Sequence, residues 1–179
     1  MNTFVFDTTA LNHFAKAGRL PELKAIVADG RSVAPVQVFT ELAKAVIEYP
    51  ALGVVSGQDW LESVELEEKL EEVIAFAEYK EDLGGGPEKN NGEAAALAWV
   101  SVNGGIAIID EQAATGIGQR DGLVVCGSLW LIIRGYTNGI LDRATAESIV
   151  DDLINTGMWL PVENGAGLFA WAYEEGFLP

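Results

Sequence analysis

The segment Ile106-Ala107-Ile108-Ile109-Asp110 is a continuous apolar run that ends in a carboxylate. Near the N-terminus, Thr3-Phe4-Val5-Phe6-Asp7 has the same form, a short apolar stretch followed by an aspartate. Strands without alternation of polar and apolar residues are typical of a parallel sheet whose two faces are both covered by helices. The two segments therefore predict two buried parallel strands, each with an aspartate at its carboxyl end.

The rest of the chain alternates between strand patterns and helix patterns. Further strands are predicted at 31–35 and 123–126, and the segment 60–66 fits either a strand or the start of a helix. Apolar residues at helical spacing predict helices over 8–17, 20–28, 36–47, 66–83, 91–102, 129–136, 144–156 and 163–174. Because apolar strands are each followed by a helix, we expect one α/β domain spanning residues 1–179.

The predicted helix 66–83 combines an apolar stripe with many acidic residues. Its spacing places Leu70, Val73, Ile74 and Ala77 toward the core. The glutamates are expected to form a solvated face: Glu65, Glu67, Glu68, Glu71, Glu72, Glu78 and Glu81. Such a face is also suited to a basic protein partner.

Composition excludes several classes of protein. Hydrophobic residues make up 49% and charged residues 21% of the 179, which is typical of a globular chain and not of a disordered one. The longest apolar stretch, 123–133, is too short to span a bilayer, and no secretory signal is expected at the N-terminus. Cys126 is the only cysteine, which excludes an internal disulfide and favours the cytoplasm. Its apolar neighbours favour a buried structural thiol over a nucleophile.

The net charge of −16 reflects 27 acidic and 11 basic residues. This excess weighs against broad, sequence-independent binding of nucleic acid through a cationic surface. An enzyme that contacts a few phosphates through metal ions remains compatible with it.

Four carboxylates stand where short apolar segments meet predicted helices. Ligands of open parallel sheets bind outside the carboxyl ends of the strands, where Asp7 and Asp110 are predicted to lie. Each aspartate taken alone has a simpler interpretation as a helix cap. Glu41 and Glu93, however, have apolar neighbours, and a carboxylate in such a position is costly unless it is paired or binds a cation.

Gathered in one crevice, these four carboxylates predict a divalent-metal site. Mg²⁺ and Mn²⁺ prefer oxygen ligands and assist phosphodiester hydrolysis. His13 is the only histidine, so zinc sites built from several His or Cys ligands are excluded. The chain also has no G-x-x-x-x-G-K-[ST] phosphate-binding loop.

Several segments resemble the motifs of the PIN-domain family, in particular its VapC-type toxin ribonucleases. Phe6-Asp7-Thr8-Thr9-Ala10-Leu11 is similar to the first motif, and Val38-Phe39-Thr40-Glu41-Leu42 to the second. Gly92-Glu93-Ala94-Ala95-Ala96-Leu97-Ala98 resembles the third and Ile108-Ile109-Asp110-Glu111 the fourth. Val125-Cys126-Gly127-Ser128 then resembles the strand and Gly-Thr turn of the family. The resemblance spans nearly the whole chain.

This resemblance implies a three-layer α/β/α fold with a central parallel sheet. It also implies an endoribonuclease dependent on Mg²⁺ or Mn²⁺, which is often inhibited by a cognate antitoxin and is often a homodimer. The catalytic residues that it implies are Asp7, Glu41, Glu93 and Asp110, with Thr9 as a supporting hydroxyl. The metal ligands that it implies are Asp7, Glu41, Glu93, Asp110 and Glu111.

Two positions depart from the family pattern. Glu111 stands where the family commonly has aspartate, and Ala114-Thr115-Gly116 stands where a basic residue is common. These departures support an alternative hypothesis, a binding or regulatory protein that keeps the fold but cleaves weakly. A third hypothesis, a phosphotransferase of the haloacid dehalogenase type, requires a second acid two residues after Asp7, where Thr9 stands.

Overall fold

The centre of the computed structural model, which describes residues 2–66 and 69–179, is a parallel sheet. Its strands are β1 (Thr3–Phe6), β2 (Arg31–Pro35), β3 (Leu61–Val64), β4 (Ile106–Ile108) and β5 (Val124–Cys126), in the spatial order β3-β2-β1-β4-β5. The chain runs outward from β1 to β3 and then continues on the other side of β1. The strand order therefore switches between β1 and β4, and the crevice outside their carboxyl ends is the expected binding position.

The helices lie between the strands and after the last one. They are α1 (Thr8–Lys16), α2 (Leu20–Ile26), α3 (Val36–Ala45), α4 (Leu70–Leu83), α5 (Asn91–Asn103), α6 (Gln112–Arg120), α7 (Ser128–Thr137), α8 (Arg143–Asn155) and α9 (Leu168–Glu174). Two 3₁₀ helices cover Pro50–Gly57 and Gly165–Gly167. Across the described part of the chain, none of the helices has the length and apolar character needed to cross a membrane.

The two faces of the sheet pack against separate hydrophobic cores. Phe4 and Phe6 of β1 belong to a core shared with α1, α2, α7, α8 and α9, whereas Val5 faces a second core shared with α5 and α6. Alternate side chains of a strand point to opposite faces, so one buried strand supplies both cores. The predicted α/β class with three layers is confirmed, and the predicted bounds of β1 and β2 are confirmed to the residue.

The prediction for α4 is wrong in two respects. The helix begins at Leu70 instead of Leu66, and its expected inward stripe is exposed: Leu70 by 72% and Ile74 by 49%, with Val73 and Ala77 also exposed. The face toward α5 carries Phe76, Tyr79 and Glu72 instead.

The prediction that Glu72 lies on the solvated face is also wrong. This side chain is buried and accepts a hydrogen bond from Asn103 Nδ2 at 2.7 Å. Glu65, Glu71, Glu78 and Glu81 are exposed as predicted. The predictions for Glu67 and Glu68 lie outside the described residues.

Helix α6 has no counterpart among the predicted elements because Gly116 and Gly118 weaken its helical pattern. A Cβ at Gly118 would lie 2.6 Å from Val125 Cγ2 and 2.8 Å from Leu97 Cδ2. Glycine at this position therefore allows α6 to pack closely against β5 and α5, which a local sequence pattern cannot indicate.

Candidate active site

Asp7 follows β1 directly and is fully buried. Its backbone N–H donates to the carbonyl of Ile108 on β4 at 3.1 Å, which fixes it at the point where the strand order switches. Its Oδ1 accepts a hydrogen bond from the backbone N–H of Ala10 at 3.0 Å and so caps α1. Its Oδ2 is buried and has no hydrogen-bond partner. Asp7 can therefore be both a helix cap and a metal ligand, because Oδ1 caps α1 and Oδ2 has no hydrogen-bond partner.

Asp110 lies just beyond β4 and is held by the first residue of α7. Ser128 donates twice, from its backbone N–H to Oδ1 at 2.7 Å and from its hydroxyl to Oδ2 at 2.6 Å. A Cβ at Gly127 would lie only 2.8 Å from Asp110 Oδ1, so glycine is needed for this close approach. In the sequence, Gly127-Ser128 stands out only as part of a family motif. The structure shows that Ser128 binds the carboxylate of Asp110.

Glu41 projects from α3 toward the start of α1 and the start of α5. Its Oε1 accepts from the backbone N–H of Gly92 at 3.1 Å, and its Oε2 accepts a short hydrogen bond from the hydroxyl of Thr8. The side chain that supports Glu41 is therefore Thr8, which the sequence pattern did not indicate. Thr9, the hydroxyl that the resemblance implied, lines a neighbouring groove instead.

The carboxylates interact electrostatically. Burial raises the pKa of Asp7 well above its usual range, and the negative charges of Asp110, Glu93 and Glu41 raise it further. Burial also raises the pKa of Glu93, with smaller contributions from Glu41 and Glu111. Burial raises the pKa of Asp110, although the two hydrogen bonds from Ser128 act in the opposite direction. Asp7 thus lies within electrostatic range of the other three predicted carboxylates, and Glu93 lies within range of Glu41.

The arrangement has one feature that fits a bound cation and one that does not. The unpartnered, buried Oδ2 of Asp7 is an oxygen that a divalent ion would satisfy. In residues 2–66 and 69–179, however, no three Asp, Glu, His or Cys side chains converge closely enough to form a ligand set as they stand.

Glu111, the fifth residue implied as a metal ligand, has a local structural role. Its Oε2 accepts a hydrogen bond from the backbone N–H of Ala114 at 2.8 Å and caps α6. The side chain is exposed, and its charge contributes to the raised pKa of Glu93. Glu111 lies at the edge of the carboxylate group.

A groove of about 310 Å³ opens beside Asp110. Its walls include Thr9, His13, Glu111 and Trp159. The hydroxyl of Thr156 donates to the carbonyl of Leu153, so His13 Nδ1 is the donor in its 2.6 Å hydrogen bond to Thr156 Oγ1. Burial, together with the charge of Lys16, lowers the pKa of His13, which keeps this imidazole neutral at neutral pH.

Cys126 is a free, half-buried thiol at the end of β5. Burial raises its pKa to about 11, so the reactive thiolate is scarce at neutral pH. The interpretation as a structural residue agrees with this environment.

A family model described as a PIN domain (DUF3368) matches residues 3–166, which includes all five strands and every carboxylate discussed above. No curated protein and no solved structure matches the chain.

Proposed function

The chain belongs to the PIN-domain family, and from that premise we propose that it is an endoribonuclease which hydrolyses RNA phosphodiester bonds with Mg²⁺ or Mn²⁺. PIN domains are generally nucleases and typically use divalent metals. We further propose that residues 1–179 form a single nuclease domain that acts in the cytoplasm.

The observation that carries this proposal is the position of Asp7 and Asp110. They follow the adjacent strands β1 and β4, at the switch of strand order, and the charge of Asp110 raises the pKa of Asp7. Helix caps alone would not require Asp7 to lie within electrostatic range of Asp110, Glu41 and Glu93. Several carboxylates held together in this way favour a cation at neutral pH.

The residues proposed to hold the ion are Asp7, Glu41, Glu93 and Asp110, with Glu111 as a peripheral ligand. A bound Mg²⁺ or Mn²⁺ would supply an activated water and stabilise charge on the phosphate. Asp110 is oriented by Ser128, and Glu41 is oriented by Thr8 and Gly92. Thr9, on the wall of the groove, is proposed to contact the substrate.

Cleavage of single-stranded RNA by the purified full chain tests the proposal. We expect cleavage with Mn²⁺ or Mg²⁺, none with excess chelator, and none above background for Asp7→Asn or Glu93→Gln. Glu78→Gln is the matched control, because Glu78 is an exposed glutamate of α4. Equal cleavage by wild type and Asp7→Asn would contradict the proposed site.

A second candidate is a binding or regulatory protein of the same fold that cleaves weakly. The observation that favours it is that no three carboxylates converge into a ligand set among the described residues. Isothermal titration with Mg²⁺ and Mn²⁺ separates the two. A stoichiometric heat that Asp7→Asn abolishes supports the nuclease, whereas no heat at millimolar metal supports the weakly active protein.

We also propose that the enzyme is the toxin of a toxin–antitoxin pair and forms a homodimer. The exposed face of α4 supports a basic protein partner, since Leu70 and Ile74 are exposed beside the carboxylates of Glu71 and Glu78. A small open reading frame next to the gene would supply the candidate antitoxin. Its product should inhibit cleavage by wild type and inhibit Ile74→Lys less, while light scattering reports whether the chain alone is a dimer.

A further inference from the structure

The groove beside Asp110 presents an exposed indole. Trp159 is 70% exposed, whereas the other four of the five tryptophans are buried or half-buried. Exposed tryptophan is unusual because its large apolar surface is normally removed from water. Its position on a wall shared with Asp110 and Glu111 indicates a role in binding.

The segment around Trp159 is anchored so that the indole cannot turn inward. Met158 and Leu160, its two neighbours, are 5% and 8% exposed and both pack into the core that contains α8. The hydrogen bond from His13 to Thr156 ties the start of this segment to α1. Trp159 therefore stands between two buried residues on a fixed backbone support, and little backbone ordering is needed when a ligand covers it.

Charge in the groove does not favour binding through phosphates. None of the described residues that line it is a lysine or arginine. Elsewhere, Lys44 and Arg120 are engaged by Glu88 and by Asp82 and Asp121. With a net charge of −16, affinity for RNA in this groove is expected to come from a contact that does not depend on basic side chains.

We propose that Trp159 stacks on an unpaired nucleobase of single-stranded RNA and so places the neighbouring phosphate beside Asp110. Stacking on an aromatic ring suits any base and requires no positive charge. A base within a duplex has both faces covered, so this contact selects single strands. The inference rests on the proposed function, because it assigns a substrate contact to the same site.

Fluorescence anisotropy with a labelled single-stranded oligoribonucleotide tests the contact. The Asp7→Asn background prevents cleavage, and Mg²⁺ is present throughout. We expect Trp159→Ala to raise Kd by about 5- to 150-fold and Trp159→Phe to recover most of the affinity. Tyr173→Ala is the matched control, since Tyr173 is 58% exposed but does not line the groove.

Two further measurements separate stacking from other roles of the indole. A duplex of the same sequence should compete poorly, and binding should weaken only slightly between 50 and 200 mM salt (about tenfold or less) because few phosphates are neutralised. Quenching of tryptophan fluorescence by RNA should be smaller in Trp159→Phe than in the parent protein.

The outcomes distinguish this inference from the proposed function. If wild type cleaves RNA but Trp159→Ala leaves both Kd and KM unchanged, the stacking contact is wrong and the nuclease stands. If wild type neither binds nor cleaves any RNA, the proposed function fails and the inference fails with it.

Discussion

Ser128 donates both its backbone N–H and its hydroxyl to the carboxylate of Asp110, at 2.7 and 2.6 Å. Each hydrogen bond goes to one oxygen of the carboxylate. Both lower the pKa of Asp110, whereas burial raises it. A serine at the start of a helix thus orients an aspartate that follows a different strand, and its two hydrogen bonds favour the ionised form of that carboxylate.

Ser128→Ala should reduce cleavage and shift its pH profile. Without the hydroxyl the pKa of Asp110 rises, so a smaller fraction is ionised at a given pH and the acid limb of the profile moves to higher pH. We expect activity near neutral pH to fall by about 10- to 100-fold, as for partners that orient metal ligands. Ser128→Thr keeps the hydroxyl and should keep the wild-type profile. An unchanged acid limb in Ser128→Ala would contradict the assigned role.

Asp7→Asn should stabilise the metal-free protein at neutral pH. The pKa of Asp7 is raised in the folded state, so its charge opposes folding at pH above the unfolded pKa. Asparagine keeps an oxygen for the cap on Ala10 and removes the repulsion from Asp110. We expect the free energy of unfolding in chelator at pH 7.5 to rise by about 1–3 kcal/mol.

The pH dependence of that difference gives the control. As pH falls through the folded pKa toward the unfolded value near 4, Asp7 becomes protonated in both states and the difference should disappear. Urea unfolding at several pH values measures it. If Asp7→Asn is less stable than wild type at pH 7.5 in chelator, the charge of Asp7 does not oppose folding and the main role of the residue is structural.

The sheet and the placement of the aspartates follow from local sequence. Each of β1 and β4 is an apolar run that ends in an aspartate, and strand polarity alone brings Asp7 and Asp110 to one edge. The choice between Thr8 and Thr9 does not follow, because adjacent helix residues point about 100° apart and only the packing of α1 against α3 decides which reaches Glu41. Likewise, the need for glycine at position 118 comes from Leu97 and Val125, which lie on other elements of the fold.

The face of α4 that turns inward could not be read from its apolar residues either. The helix has two apolar stripes, and the aromatic side chains Phe76 and Tyr79 fill the space against α5. We therefore expect Tyr79→Ala to destabilise the fold by about 3 kcal/mol and Ile74→Ala by less than about 1 kcal/mol. Urea unfolding of both variants, at a concentration where size-exclusion chromatography shows equal association, measures this. A larger loss of unfolding free energy for Ile74→Ala than for Tyr79→Ala would instead support the sequence-based prediction that Ile74 faces the core.

Gly92→Ala should disrupt the support of Glu41 while leaving the fold in place. A Cβ at Gly92 would lie 2.3 Å from Thr8 Oγ1 and 2.8 Å from Glu41 Oε2, so the hydrogen bond between them cannot persist unchanged. The fold should survive because Glu41 is half-buried and can swing toward solvent. We expect cleavage and metal affinity to fall by about 10- to 100-fold, with circular dichroism unchanged.

Gly116→Ala is the matched control for that substitution. Gly116 is also a helical glycine, but a Cβ there meets nothing within 4 Å. Alanine at this position should leave cleavage unchanged and raise the free energy of unfolding by about 0.5–1 kcal/mol, because it restricts the unfolded chain and favours the helix. If Gly92→Ala and Gly116→Ala cleave RNA equally well, the orientation of Glu41 by Thr8 has no part in the reaction.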